Sequence, residues 1–232
     1  MKITKLSIIM PVYNEEETID EAIKRVLATR VGKIKKELIV VNDGSRDKTL
    51  QIVKEVKDKR LKLISRKINK GKGASIKEGI KIATGEVMVI QDADLEYDPN
   101  EYLNLLQPIQ NDLADVVFGS RFTGSGPHRV LFFWHMLGNK FLTLLANTLT
   151  NLNLTDMETC YKMFTGEIAK KIKIEEKRFG FEPEFTVKIA RMRARVYEVG
   201  ISYMGRSYTE GKKINWKDGV WALWCLIKYS LF

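Results

Sequence analysis

A chain of 232 residues with 44% hydrophobic content is long enough for one large buried core and short for several domains. Lysine and arginine outnumber aspartate and glutamate 39 to 29, and the net charge of +10 favours an anionic partner such as a nucleotide, a phospholipid or a nucleic acid, without choosing among them. Cys160 and Cys225 lie far apart with no CxxC spacing, which points to reduced thiols in a cytoplasmic protein; Leu6 to Val12 is too short an apolar run for a secretory signal or a membrane span.

Apolar runs rich in β-branched residues (LSIIMPV, ELIVV, LKLIS, EVMVI, DVVFG) alternate along the first half with stretches of helical periodicity. This alternation predicts an α/β fold, a doubly wound, mostly parallel sheet with flanking helices. Asn14 and Glu17 have the spacing of a capping box for the first helix, whose Ile19, Ala22, Ile23, Val26 and Leu27 form an apolar stripe. Further helices are expected over 47–56, 73–83, 99–110, 129–150 and 183–195, with the strand-like YEVGISY after them.

Three strands run into polar clusters: Tyr13-Asn14-Glu15, Asn42-Asp43-Gly44-Ser45 and Asp92-Ala93-Asp94. Each is explained separately by helix caps and turns, yet carboxyl ends of parallel strands are where open α/β sheets bind ligands. In QDADLEYDP (91–99) a wholly apolar strand leads into two carboxylates one residue apart. Their repulsion and partial desolvation call for a cation or a basic side chain, and a hard Mg²⁺ or Mn²⁺ completed by a substrate diphosphate suits oxygen ligands. NKGKGAS (69–75) precedes a helix and is placed to bring backbone N–H groups and Lys72 to a phosphate, although it has neither the Walker nor the dinucleotide glycine spacing.

In order and spacing, MPVYNEEETI, VVNDGSRDKT, NKGKGAS and QDADLEYDP resemble the family 2 glycosyltransferases of the GT-A fold. GSRF (119–122), TDMETCYKMF (155–164), FGFEPEF (179–185) and YMGRSYTEGKKINWKDG (203–219) resemble their polyprenyl-phosphate branch, similar to dolichyl-phosphate mannosyltransferases. The resemblance covers nearly the whole chain and implies one glycosyltransferase domain. Its nucleotide-sugar half would be 1–120 and its acceptor-side half 121–211, with an amphipathic segment at 212–232. It implies that Pro11, Tyr13, Glu15 and Asp43 line the nucleoside pocket with Asp92 beside the nucleotide, and that Asp94 holds the metal. Glu96 stands where the mannosyltransferases carry a glutamine that joins the coordination, and Thr159 to Lys162 replace their serine-glycine-phenylalanine-arginine run, which leaves the acceptor class open.

The implied reaction is an inverting displacement at C1 of a hexose carried by UDP or GDP. A hydroxyl acceptor on a glycan or surface polysaccharide needs a general base, for which Asp156 is the candidate. A polyprenyl or dolichyl phosphate, with a second pKa of about 6, is already nucleophilic and needs positioning cations instead. Arg121, Arg129 and Lys212 are the candidates for that phosphate, and Arg206 for the acceptor or diphosphate side. The stretches 128–153 and 215–232, the second with Trp216, Trp221 and Trp224 near Lys217 and Lys228, read as interfacial helices or as helices packed on the core. His135, Asn139 and Lys140 argue against a span, so a lipid acceptor implies peripheral contact, at the cytoplasmic face of the membrane, or a partner. A nucleotidyltransferase would open with a glycine-rich loop where this chain has PVYNEE. A basic module for membrane or nucleic acid leaves QDAD and NDGS unexplained, and no nucleic-acid partner is expected.

Overall fold

The computed structural model of the chain describes residues 2–124, 129–130, 132–206 and 216–231. Among these, seven strands, β1 (Lys5–Val12), β2 (Lys35–Asp43), β3 (Leu61–Arg66), β4 (Val87–Ile90), β5 (Val116–Ser120), β6 (Lys162–Thr165) and β7 (Val196–Gly200), form one sheet in the order β3-β2-β1-β4-β6-β5-β7. All neighbours are parallel except β6, which runs antiparallel to both β4 and β5. Leu6, Ile8, Ile9 and Met10 of β1, Leu38 to Val41 of β2 and all of β4 are buried, the continuous apolar pattern of strands covered on both faces.

The flanking helices are α1 (Ile19–Ala28), α2 (Thr49–Glu55), α3 (Lys72–Ile82), α4 (Tyr102–Gln110), α5 (Phe133–Thr150), α6 (Gly166–Lys171), α7 (Phe181–Arg191) and α8 (Trp216–Leu231). The single α/β domain with a mostly parallel sheet is the fold the alternation predicts. Its first strands run outward from β1 to β3 before the chain returns to place β4 on the other side of β1. This reversal opens a crevice at the carboxyl ends of β1 and β4.

Two local expectations fail. Asn14 does not cap α1: its φ of 50° is left-handed, its Oδ1 accepts from Arg46 N at 2.9 Å, and α1 begins after Thr18. Ser45 Oγ in turn accepts from Asn14 N at 3.0 Å, so the polar residues after β1 and β2 stitch two loops together instead of starting a helix. The glycine-rich loop is likewise turned inward, with Lys70 N and Gly71 N donating to Asp43 at 2.9 and 2.6 Å. A Cβ on Gly71, whose φ is 97°, would overlap the Lys177 carbonyl. Close packing against 176–178, and not phosphate cradling, is what these glycines allow.

A second, smaller core joins α5, α7 and α8 through Ala146, Val187, Cys225, Leu226 and Tyr229. Glu176 pins α8 to it, accepting from Tyr229 Oη at 2.8 Å, Lys228 Nζ at 3.0 Å and Trp221 Nε1 at 3.1 Å. The opposite faces are bare. Phe133, Trp134, Leu137, Phe141 and Leu144 share one exposed stripe of α5, and Val220, Trp221, Trp224, Ile227 and Leu231 share one of α8. Among the described residues, no helix is long and apolar enough to cross a membrane.

Candidate active site

The residues singled out in the sequence, those outside the described segments excepted, occupy the carboxyl edge of the sheet. β1 delivers Pro11, Tyr13 and Glu15, all partly exposed; β2 delivers Asp43; β4 delivers Asp92, Asp94 and Glu96. Asp43 is only 3% exposed, and besides the loop amides it accepts from Arg66 Nη1 at 2.8 Å, so it holds the loop before α3 in place.

Lys72, at the start of α3, sits 3.0 Å from both Asp92 and Glu182. Burial works against its charge, but Asp92, Cys160 and Glu182 outweigh it and raise the ammonium pKa well above its ordinary value. Glu182, from the FGFEPEF run on α7, had no assigned role in the sequence. Its pairing with Lys72 ties α7 to the strand end that bears Asp92.

Beyond β4 the chain turns at Leu95, whose φ of 63° lies where side chains other than glycine are disfavoured. Asp94 and Glu96 on either side both meet Arg206: Asp94 Oδ2 lies 3.2 Å from Nη2 and Glu96 Oε1 3.5 Å from Nε, while Glu15 Oε2 lies 3.6 Å from Nη1. Glu96 also accepts from Arg206 N at 2.8 Å and Tyr203 Oη at 2.7 Å. Burial, then repulsion from Asp92 and Glu96, pushes the Asp94 carboxyl up to about 8, so the cluster holds more negative charge than its cations balance. A hard divalent cation fits such a set of carboxylate oxygens. Among the described residues no group of three or more His, Cys, Asp or Glu side chains is arranged to hold a metal ion. Sites that borrow oxygens from a substrate phosphate need fewer.

Arg121 and Asp156, given separate roles in the sequence reading, form one pair. Nε and Nη2 of Arg121 donate to the two Asp156 oxygens at 2.6 and 2.7 Å, and Arg121 N and Asn139 Nδ2 of α5 add 3.1 and 3.2 Å bonds. Asp156 is fully buried, and although burial raises its pKa, Arg121 and these bonds outweigh that and leave it below the ordinary carboxylate range. A buried carboxylate held ionised by both oxygens is a poor proton acceptor. The guanidinium stacks 5.1 Å from the Tyr203 ring centre. Arg129 is exposed and donates to the Gly205 carbonyl at 2.6 Å, next to Arg206. Lys212 lies outside the described residues.

Sequence reasoning also missed Glu158 and Lys162. Lys162 is fully buried, donates to the carbonyls of Met157 and Thr159, and lies 4.8 Å from the Phe118 ring centre. Glu158 has one buried oxygen without a hydrogen bond, and burial followed by Glu182 pushes its carboxyl up to about 7. A raised pKa means that ionising Glu158 costs the fold stability, from about pH 4.5, where the unfolded chain ionises, up to about pH 7. Glu158→Gln is therefore expected to gain on the wild type by on the order of 3 kcal/mol between about pH 5 and about pH 8. Urea unfolding at both pH values checks this, and a constant difference would refute it.

Residues 7–173 match the profile of glycosyl transferase family 2. Among curated relatives, the dolichol-phosphate mannosyltransferase of Pyrococcus furiosus is 29% identical over 217 residues, covering 90% of this chain and 60% of that one. The dodecaprenyl-phosphate galacturonate synthase of Rhizobium johnstonii is 24% identical, over 90% of this chain and 61% of its own length. The chain thus spans about three fifths of the length of these two relatives. An uncharacterized protein of Methanocaldococcus jannaschii is 26% identical over 98% of this chain and 93% of its own. In fold, the chain is similar to glucosyl-3-phosphoglycerate synthase from Mycobacterium tuberculosis in complex with UDP, with a TM-score of 0.78, 16% identity and coverage of 99% of this chain and 81% of that one. The family match begins in β1, takes in the three strand-end clusters and the Arg121–Asp156 pair, and ends just past α6; the chain belongs to glycosyl transferase family 2.

Proposed function

We propose that the chain transfers a hexosyl group, with inversion, from a UDP- or GDP-linked donor to a polyprenyl or dolichyl phosphate, in peripheral contact with the cytoplasmic face of a membrane. The observation that carries this reading is the pair of bare apolar stripes on α5 and α8. Trp134 is 77% exposed, Phe133 60% and Trp224 51%, on helices whose other faces are packed. Exposed apolar surface rich in tryptophan is suited to a bilayer interface, and a net charge of +10 adds attraction to anionic headgroups. α5 reaches from that surface to the site, where Asn139 touches Asp156. Both cysteines are buried and free, in keeping with a reducing compartment. Two of the curated relatives are named for lipid-phosphate products or acceptors, which supports the same acceptor class here.

In this reading the acceptor phosphate, mostly dianionic at neutral pH, forms its bond to C1 as the bond from C1 to the nucleoside diphosphate breaks. No base is required. Arg121, held in plane by Asp156, and Arg129 orient the phosphate; Lys72 and Arg206 face the charge that develops on the leaving diphosphate. Asp156 is thus a positioning residue. Asp94, with Glu96 when it gives up part of its hold on Tyr203 and Arg206, would hold Mg²⁺ or Mn²⁺, which when bound supplies further charge neutralisation at the diphosphate. Pro11, Tyr13, Glu15 and the loop held by Asp43 form the nucleoside pocket.

Glu158 favours a second reading, transfer to a hydroxyl of a glycan. A carboxyl whose pKa is near neutrality suits a general base better than the ion-paired Asp156. The two readings separate in one experiment: transfer of labelled sugar from a panel of UDP- and GDP-sugars into a polyprenyl-phosphate lipid extract, with Mn²⁺ or Mg²⁺ and with EDTA. The lipid reading expects metal-dependent label in the organic phase, retained in Glu158→Gln. Label confined to aqueous product and lost in Glu158→Gln would establish the hydroxyl reading.

A further inference from the structure

Two arginines of the site, Arg121 and Arg206, are held in contrasting ways. Arg121 meets Asp156 through two short bonds in a common plane, at 2.6 and 2.7 Å. Arg206 meets three carboxylates loosely: 3.2 Å to Asp94, 3.5 Å to Glu96 and 3.6 Å to Glu15, with its buried Nε lacking a hydrogen-bond partner. The first is a fixed pair; the second is a cation held mainly by the surrounding negative charge. The backbone at Arg206, by contrast, is firmly placed. Its N–H donates to Glu96 Oε1 at 2.8 Å, Met204 N donates to the Glu96 carbonyl at 2.9 Å, and Tyr203 Oη donates to Glu96 Oε2 at 2.7 Å. The guanidinium can therefore leave the carboxylates by side-chain rotation about an anchored Cα.

We propose that Arg206 is the protein's own counter-ion for the metal subsite, and that a divalent cation and the nucleoside diphosphate displace it together. This rests on the reading that Asp94 holds the metal. A divalent ion arriving alone must share Asp94 and Glu96 with a guanidinium and is repelled by it. A diphosphate brings the negative charge that removes the conflict, because the guanidinium can turn from the carboxylates to phosphate oxygens, which it binds in fork geometry. Metal alone therefore binds weakly and metal with nucleotide binds tightly. By linkage, the nucleotide gains from the metal by the same factor. Until a donor carrying a diphosphate arrives, Arg206 offsets part of the negative charge of these carboxylates.

The test is direct Mn²⁺ binding, followed by the electron paramagnetic resonance of free Mn²⁺, with and without UDP or GDP, for the wild type, Arg206→Gln, Arg206→Lys and Asp94→Asn. Without nucleotide, Arg206→Gln is expected to bind Mn²⁺ on the order of tenfold more tightly than the wild type, within the range usual for coupled sites. Its further gain on adding nucleotide should shrink by a similar factor. Arg206→Lys, which keeps the charge, should stay near the wild type, and this control separates lost charge from a disturbed fold. If Arg206→Gln binds Mn²⁺ no more tightly than the wild type while Asp94→Asn abolishes binding, the exchange is wrong and the metal site stands. If Asp94→Asn leaves Mn²⁺ binding intact with nucleotide present, the metal reading fails, and the exchange with it.

Discussion

Asp94→Asn is expected to lower sugar transfer by roughly a thousandfold, the equivalent of about 4 kcal/mol of lost transition-state stabilisation, while the protein stays folded. The separation of the two effects follows from the environment of the residue. Burial, together with Asp92 and Glu96, already holds the Asp94 carboxyl at a pKa of about 8, so its negative charge contributes nothing to the stability of the ligand-free protein. An asparagine keeps the shape, removes the repulsion and loses the charge that a hard cation requires. Steady-state transfer kinetics and a thermal melt of the same preparation measure both halves. Turnover like that of the wild type would take the metal role away from Asp94; a collapsed melt would show that the carboxylate is structural.

Asp156→Asn is expected to do the reverse first and the same second, costing about 3–5 kcal/mol of stability because it leaves the Arg121 guanidinium in a buried site without its ion partner. Arg121 is 13% exposed and Asp156 not at all, so water cannot make up the loss. The pH dependence follows from the sign of the shift. Asp156 has a folded pKa below its ordinary 3.8, so its contribution is complete above that value and disappears as the pH falls through the folded pKa. The substituted protein should lack this part of the acid unfolding limb. A double substitution to apolar residues, Arg121→Met with Asp156→Leu, should recover much of the stability and none of the transfer. Recovery of both would remove the pair from the site's chemistry. Activity of Asp156→Asn that fails along with stability, but keeps its pH profile in the surviving fraction, marks positioning; a lost acidic limb would mark a proton acceptor.

What could be read in the sequence was whatever repeats at short range. β1, β2 and β4 announce themselves because strands buried on both faces are apolar throughout, and each ends abruptly in polar residues. β6 is hidden by Lys162, a charge in a fully buried strand made tolerable by the carbonyls of Met157 and Thr159, the Phe118 ring and the nearby Glu182 and Glu158. Asn14 has the spacing of a helix cap, but nothing local reveals that Arg46 and Ser45, across the gap between two strands, will claim it. The Arg121–Asp156 pair and the Lys72–Glu182 pair are contacts of tertiary structure with no periodic signal. The motifs containing them could be recognised by resemblance, whereas the identity of each partner could not.

The reversed direction of β6 also bears on how such a chain can diversify. β5 ends and β6 begins at the same edge of the sheet, joined where Gly119 N donates to the Tyr161 carbonyl at 2.8 Å and where the Ser120 and Thr155 hydroxyls lie 2.6 Å apart. Residues 121–154, with all of α5, therefore leave and re-enter the sheet through one gate, and the register of every strand pair is set without them. Such an excursion can be lengthened, shortened or exchanged while the seven-stranded sheet is left untouched. Length and sequence can therefore vary in this insert at little cost to the packing of the strands.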